Sequence, residues 1–252
     1  MKFHLTALFA LLLTLPAIGQ SAFEKGISAY SEAHYSDAIT AFQSAIESSD
    51  KPTAAMYYNL GNAYYKSNDL AEAILAYNRA YRLAPADRDI RHNLEFASSK
   101  TEDKITPAPT TLFAAWVDSL SHWFDLYTWL TLDLVLLFLT CGLLLLFFIS
   151  RTRARRLVGF YGSMATTVLF VFTNFMTFRL NNFVQDTSGA VVMSPIVTIK
   201  SSPDQSATDI VVLHAGVQVR VQKAVANFYE ILLPDGVVGW IPQSDLEFIL
   251  PQ

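Results

Sequence analysis

The chain has one cysteine, Cys141, in 252 residues, so it forms no internal disulfide and no thiolate metal cluster. Cys141 lies in an apolar run, where it is expected as a small buried hydrophobe. Charge is also scarce: Asp, Glu, Lys and Arg make up 16% of the chain, against about 25% in ordinary soluble domains. With a net charge of −4 and no basic stripe beyond one short arginine cluster, nucleic acid is not expected as a partner. His4, His34, His92, His122 and His214 are scattered, without HExxH or other paired metal-ligand spacing. Gly-rich phosphate loops and Gly-x-Ser-x-Gly are missing too. Ser48-Ser-Asp-Lys51 has Ser-x-x-Lys spacing, but no companion motif follows and it reads as a solvated inter-repeat turn. The expectation is a protein that is not an enzyme and carries no cofactor or metal.

What the chain has in plenty is apolar sequence, 52% of it, gathered into runs. Met1-Lys2, the stretch Leu5 to Leu15 and the small-x-small pair Ala17 and Gly19 read as a secretory signal peptide over residues 1–19. Residues 128–149 and 157–178 are each long enough, at 1.5 Å per residue, to cross a hydrocarbon core of about 30 Å. Between them, in 150–156, stand Arg151, Arg153, Arg155 and Arg156. The positive-inside rule puts so short a loop in the cytoplasm, and both flanks then face the periplasm, in agreement with an exported N-terminus. The expected location is the bacterial inner membrane, with two spans. Tyr161, Thr173 and Asn174 in the second span are expected to bond a neighbouring helix, and Gly159 and Ser163 have small-xxx-small spacing for close packing.

Residues 20–100 hold a self-similar pattern. Tyr57, Leu60, Gly61, Tyr64, Ala73, Tyr77, Ala80 and Pro85 fall at the spacings of a tetratricopeptide repeat, and Gly26, Ala38, Phe42 and Ala45 repeat Gly61, Ala73, Tyr77 and Ala80 at a constant offset of 35. Asn93-Leu94 repeats Asn59-Leu60 at an offset of 34 and opens a last helix, Arg88 to Ser98, expected to cap the array. Two repeats and a cap fall short of the three usually needed, so a partner or the membrane surface is expected to cover the remaining apolar area. By analogy with such repeats, the first helix of each pair lines a groove, which places Phe23, Ile27, Tyr30, Tyr58, Asn62, Tyr65 and Lys66 there as protein-binding residues; the alternative is that some of the tyrosines pack between helices.

Residues 101–111, with Pro107 and Pro109, read as a stiff extended linker. Residues 112–127 carry Phe113, Trp116, Leu120, Trp123, Phe124 and Tyr127 at helical spacing. They read as an amphipathic helix at the membrane interface, anchored by Trp116, Trp123 and Tyr127, or as a packing helix independent of the membrane. After a second linker, 179–189, residues 190–252 contain six short β-branched runs separated by turn signals. Their order, ending in Gly239-Trp240-Ile241, resembles a bacterial SH3 domain, with Gly239 and Trp240 as hallmark; such domains often bind cell-wall peptides or proteins.

The fold class expected is thus a multidomain membrane protein: an all-α tetratricopeptide repeat, a two-helix transmembrane hairpin and a small all-β SH3-like barrel. The order of parts, with Tyr57-Tyr-Asn-Leu-Gly-Asn-Ala-Tyr-Tyr65, Arg91-His-Asn-Leu-Glu-Phe-Ala97, the arginine loop between spans and Val197-Thr-Ile-Lys-Ser-Ser-Pro-Asp204, resembles the BatE-type members of the Bat (Bacteroides aerotolerance) family. The resemblance implies an envelope scaffold whose partners are von Willebrand A-type Bat proteins, linked to oxidative-stress tolerance. The alternative is a module that binds peptidoglycan and senses the wall.

Overall fold

The computed structural model describes residues 16–250, so the signal peptide expected over 1–19 lies outside the described residues save for its last four. The chain forms two compact units: residues up to Ala108 together with those from Asp186 onward, and Pro109–Gln185 between them.

The first unit opens with α1 (Pro16–Ser31), α2 (Tyr35–Glu47), α3 (Ala54–Lys66), α4 (Leu70–Leu83) and α5 (Arg88–Ser98). Equivalent positions of the two pairs do equivalent things. A Cβ added to Gly26 would stand 2.4 Å from the Phe42 ring, and one added to Gly61 would stand 2.6 Å from the Tyr77 ring. Each glycine therefore lets its helix lie directly on the aromatic of the next. Both intra-pair turns use one left-handed residue, Ala33 (φ 62°) and Asn68 (φ 63°). Asn takes that conformation readily and Ala does not. Asp69 caps α4 by accepting the Glu72 N–H at 3.3 Å, whereas His34 makes no side-chain cap for α2. The first repeat, fainter in sequence, is also the less well finished structurally.

Seven antiparallel strands follow the second unit: β1 (Gly189–Val192), β2 (Ile196–Lys200), β3 (Asp209–His214), β4 (Gln218–Val225), β5 (Phe228–Leu232), β6 (Val238–Pro242) and β7 (Leu246–Phe248). They form one sheet in the order β3-β2-β6-β5-β4-β1-β7. Every strand sends a residue into one core, from Ala190 and Val192 through Ile199, Leu213, Val219, Ile231 and Ile241 to Leu246. The sheet therefore curls round a shared interior, yet β3 and β7 remain its edges. The closed barrel expected from sequence is an open, curled sheet.

All four residues of β1 are buried. Ala190 and Val192 face the sheet's core, while Val191 and the nearby Ile249 join Ala73, Ile74, Leu75, Tyr77, Leu94 and Ala97 in a second core shared with α4 and α5. Polar contacts fix the same seam. Arg79 donates to the carbonyls of Ile249 (3.0 Å) and Phe248 (3.1 Å) and to the Glu247 carboxylate (2.6 Å). Asp186 takes ion pairs from Arg82 (3.6 Å) and Arg220 (3.7 Å). Burial pulls the Asp186 carboxyl up, but two hydrogen bonds from Ser188 and the two guanidinium groups outweigh it and hold it below the usual carboxylate range. Part of the apolar area expected to need a partner or the membrane, the α4 and α5 face around Ile74 and Tyr77, is covered by the chain's own sheet.

The expected 101–111 linker is correspondingly not free. Thr101 is buried, Asp103 accepts the His214 backbone N–H at 2.6 Å and contacts its ring at 3.0 Å, and Ile105 packs against the sheet's core. Ala108 donates to the Pro234 carbonyl at 2.8 Å. The segment is a strap across the sheet.

The second unit comprises α6 (Leu112–Ser121), α7 (Leu126–Ile149) and α8 (Arg153–Gln185). Both α7 and α8 are long and apolar enough to cross a membrane. The expected helix over 112–127 breaks after Ser121, because Asp125 caps a new helix by accepting the Thr128 N–H at 2.7 Å. The second expected span runs on to Gln185, so residues 179–185 are helix rather than linker. At Gly159 the helices α7 and α8 touch backbone to backbone: a Cβ there would lie 2.7 Å from the Phe147 nitrogen and 2.8 Å from the Leu143 carbonyl oxygen. Of the polar residues expected to bond across, Tyr161 and Asn174 are exposed and Thr173 donates to its own helix. The crossing bonds are Thr140 to Thr166 and Thr177 to Asp133, each 2.8 Å. Cys141, expected as buried, is exposed on α7.

Candidate protein-binding groove

The offsets of 35 and 34 align three residues at each level of the helices that open the repeats: Phe23, Tyr58 and His92; then Ile27, Asn62 and Phe96. Tyr30 and Tyr65 follow one turn later, and Lys66 stands beside Tyr65. Tyr30, Tyr58, Asn62 and Tyr65 are half-buried and Lys66 is exposed. Ile27 and Phe96 keep 47% and 45% of their surface open.

Two kinds of wall residue emerge. Tyr77 of α4 donates its hydroxyl to Asn62 Oδ1 at 2.8 Å, and the Asn93 amide of α5 donates to the same oxygen at 3.1 Å and to the Tyr58 hydroxyl at 2.9 Å. The Tyr58 and Tyr77 rings pack at 6.0 Å. Tyr58 and Asn62 thus tie α3, α4 and α5 together. Burial, then the neighbouring phenols, raise the pKa of Tyr77 and Tyr30 above the ordinary value, so both remain neutral donors. The second kind is available to a ligand. Tyr65 packs at 5.8 Å on Phe96, His92 stacks on the same ring at 6.4 Å, and the Lys100 ammonium lies 5.0 Å from its centre. Phe96, His92 and Lys100 were not named among the groove residues from sequence, although the 34-residue offset of Asn93-Leu94 already carried the first helix one step further.

The remaining residues singled out in the sequence lie elsewhere. Trp116, Trp123 and Tyr127 are all exposed, while α6 buries Val117 against Trp129, Met176 and Leu180; Trp123 sits in the break between α6 and α7. Arg151, Arg153, Arg155 and Arg156 are exposed around the turn joining α7 to α8. Trp240 on β6 is buried, with the Lys223 ammonium 5.3 Å from its ring, and Gly239 lies against Ile199 where a Cβ would not fit. Ser48 spends its hydroxyl on the Ser44 carbonyl at 2.7 Å, as the last turn of α2 ends. Among the described residues no group of three or more His, Cys, Asp or Glu side chains converges as a metal site.

Residues 23–88 match the family model of the tetratricopeptide repeat. The matched stretch runs from within α1 through α4 and stops where α5 begins, so tetratricopeptide helical repeats are present, a kind of repeat that typically serves protein–protein interaction. No curated protein matches the chain.

Proposed function

We propose that the protein is an inner-membrane adaptor whose repeat groove, facing the periplasm, holds an envelope protein, and that its partners are von Willebrand A-type membrane proteins of the Bat kind. The observation that carries the reading is the division of labour around the repeats. The sheet covers α4, while Ile27, Phe96 and Lys66 on the helices that open the repeats stay open. An aromatic and amide wall of this type suits an extended peptide or a helix laid along it.

The connectivity supports one side for both halves of the body. Residues before α6 and after α8 share a single core, so if α7 and α8 both cross the bilayer, the two flanks lie on the same face of it. With the arginine turn read as cytoplasmic by the positive-inside rule, the body is periplasmic in this proposal. In this reading Trp116, Trp123 and Tyr127 sit at the outer interface, and Gly239 and Trp240 belong to an SH3-like sheet left unclosed.

The test is a crosslinked pull-down from solubilised membranes with Ile27→Ser/Lys66→Glu/Phe96→Ser, which leaves the Tyr58–Asn62–Asn93 bonds intact. Loss of co-purifying von Willebrand-type proteins from a folded variant supports the adaptor. Their retention by the variant refutes the groove, and recovery of wall fragments with no protein partner favours peptidoglycan binding by the sheet.

A further inference from the structure

The turn between α7 and α8 places four positive charges where nothing on the chain answers them. No acidic residue occurs in the sequence between Asp133 and Asp186. Among the described residues, Arg151, Arg153, Arg155 and Arg156 make no ion pair, although arginines elsewhere in the chain pair with Asp118, Asp186, Glu95 and Glu247. All four are exposed, and they line two surface clefts. One cleft of about 330 Å³ is lined by Phe147, Leu157 and Phe160 together with Arg151, Arg153 and Arg156. A second, of about 480 Å³, sets Arg151 and Arg155 against Leu145, Leu146 and Ile149. Gly142 in its wall has open space where a side chain would stand. Volumes of this size fall in the range of small-molecule sites, about 300–1,000 Å³.

Each cleft is thus lined both by arginines and by apolar residues of α7 or α8. The Arg156 guanidinium is held 5.4 Å from the Phe147 ring, and that ring packs on Phe160 at 5.8 Å, so at least one guanidinium is oriented by aromatic packing. Planar guanidinium groups suit phosphate oxygens because two N–H donors engage two oxygens at once. A free phosphate would use the arginines and leave the apolar lining bare. A phospholipid uses both, its phosphate on the arginines and its chains along the leucines and phenylalanines.

We propose that the arginine turn is a binding site for anionic phospholipid, with Arg151 shared between the two clefts. The inference rests on the reading of α7 and α8 as membrane spans. It goes beyond the topology signal, because a positive-inside charge needs only to be positive, whereas these arginines are set into clefts. Occupied clefts would fix the hairpin's depth and rotation.

The test is native mass spectrometry of the full chain released from detergent micelles containing equal amounts of palmitoyl-oleoyl phosphatidylglycerol and the matching phosphatidylcholine. The expected result is preferential retention of phosphatidylglycerol, reduced about fivefold by Arg151→Gln and about a hundredfold by Arg151→Gln/Arg155→Gln/Arg156→Gln. Arg151→Lys, which keeps the charge but not the fork, should fall between wild type and Arg151→Gln. Equal retention of the two lipids, indifference to Arg151→Gln, or wild-type behaviour of Arg151→Lys overturns the site. Displacement of the lipid by millimolar glycerophosphate also overturns it, in favour of a soluble anion. A parallel carbonate wash of membranes separates the two readings. A chain that washes off defeats the membrane reading itself, and one that stays in the pellet without lipid preference defeats only the site.

Discussion

Helices α4 and α7 invert the usual relation between apolar character and burial. In α4, which carries Glu72, Asn78, Arg79 and Arg82, nine of fourteen residues are buried. In α7, apolar nearly throughout, two of twenty-four are buried, and one of those is Asp133. A helix that is hydrophobic all round and faces outward is stable only where the surroundings are not water. The helix enclosed by protein on several sides can carry charge, because each polar head finds a partner: Arg79 on Glu247 and the last carbonyls, Arg82 on Asp186. Burial in this chain follows what surrounds a helix, not how apolar it is.

The comparison breaks most readily at α4. Ile74 is fully buried at the seam with the sheet, and Ile74→Ala should cost about 2–5 kcal/mol, read as a lowered denaturation midpoint of the detergent-solubilised chain. Phe148→Ala, on a residue 76% exposed on α7, should change that midpoint little. Next comes Phe138→Arg near the middle of α7, on an exposed residue. In water such a change would stay within about 0.5 kcal/mol. In a bilayer it should cost about 2.5–3.5 kcal/mol of insertion and shift the chain out of the membrane pellet. A smaller, stabilising effect is expected at the left-handed turn of the first repeat: Ala33→Asn should add about 1 kcal/mol, visible as a raised melting temperature.

The smallest effect concerns the strap. Hydrogen bonding to Asp103, against a burial penalty and with help from Glu102, raises the His214 pKa above 6.5. A raised folded-state pKa means that the contact contributes in full below the unfolded value and is lost as the pH climbs through the folded one. The body should therefore loosen slightly as the pH rises above the ordinary histidine value of about 6.5, and Asp103→Asn should flatten that dependence in pH-resolved thermal melts.

Much of this arrangement was legible in the residues. The helix Arg88–Ser98, the glycine–aromatic pairs and the strand runs follow from local periodicity and turn chemistry, which neighbours in sequence determine. The open sheet, the strap and the covering of α4 did not show, because they depend on long-range pairing. Gly189-Ala-Val-Val192 looks like an ordinary buried strand whether its second face meets solvent, a partner or a helix. The break before α7 was visible as Asp125 three residues ahead of Thr128, an N-cap spacing masked by the aromatic stripe that runs across it. In the groove, the levels of Tyr58 and Asn62 were readable from the repeat spacing. That their polar atoms are already engaged by Tyr77 and Asn93 depends on the placing of α5 against α3, which no single-helix pattern encodes.

The strand that seals α4 is made after both α7 and α8. When the ribosome has finished α5, the faces of Ala73, Ile74 and Tyr77 destined for Val191 and Ile249 have no cover, and the whole of Pro109–Gln185 must be synthesised before one exists. The repeat half is therefore an orphan during synthesis, an adhesive intermediate for as long as the second unit takes to be made. Chains stalled or truncated ahead of Asp186 should be preferred clients of holding chaperones and proteases, because the cover for α4 arrives only with Val191 and Ile249.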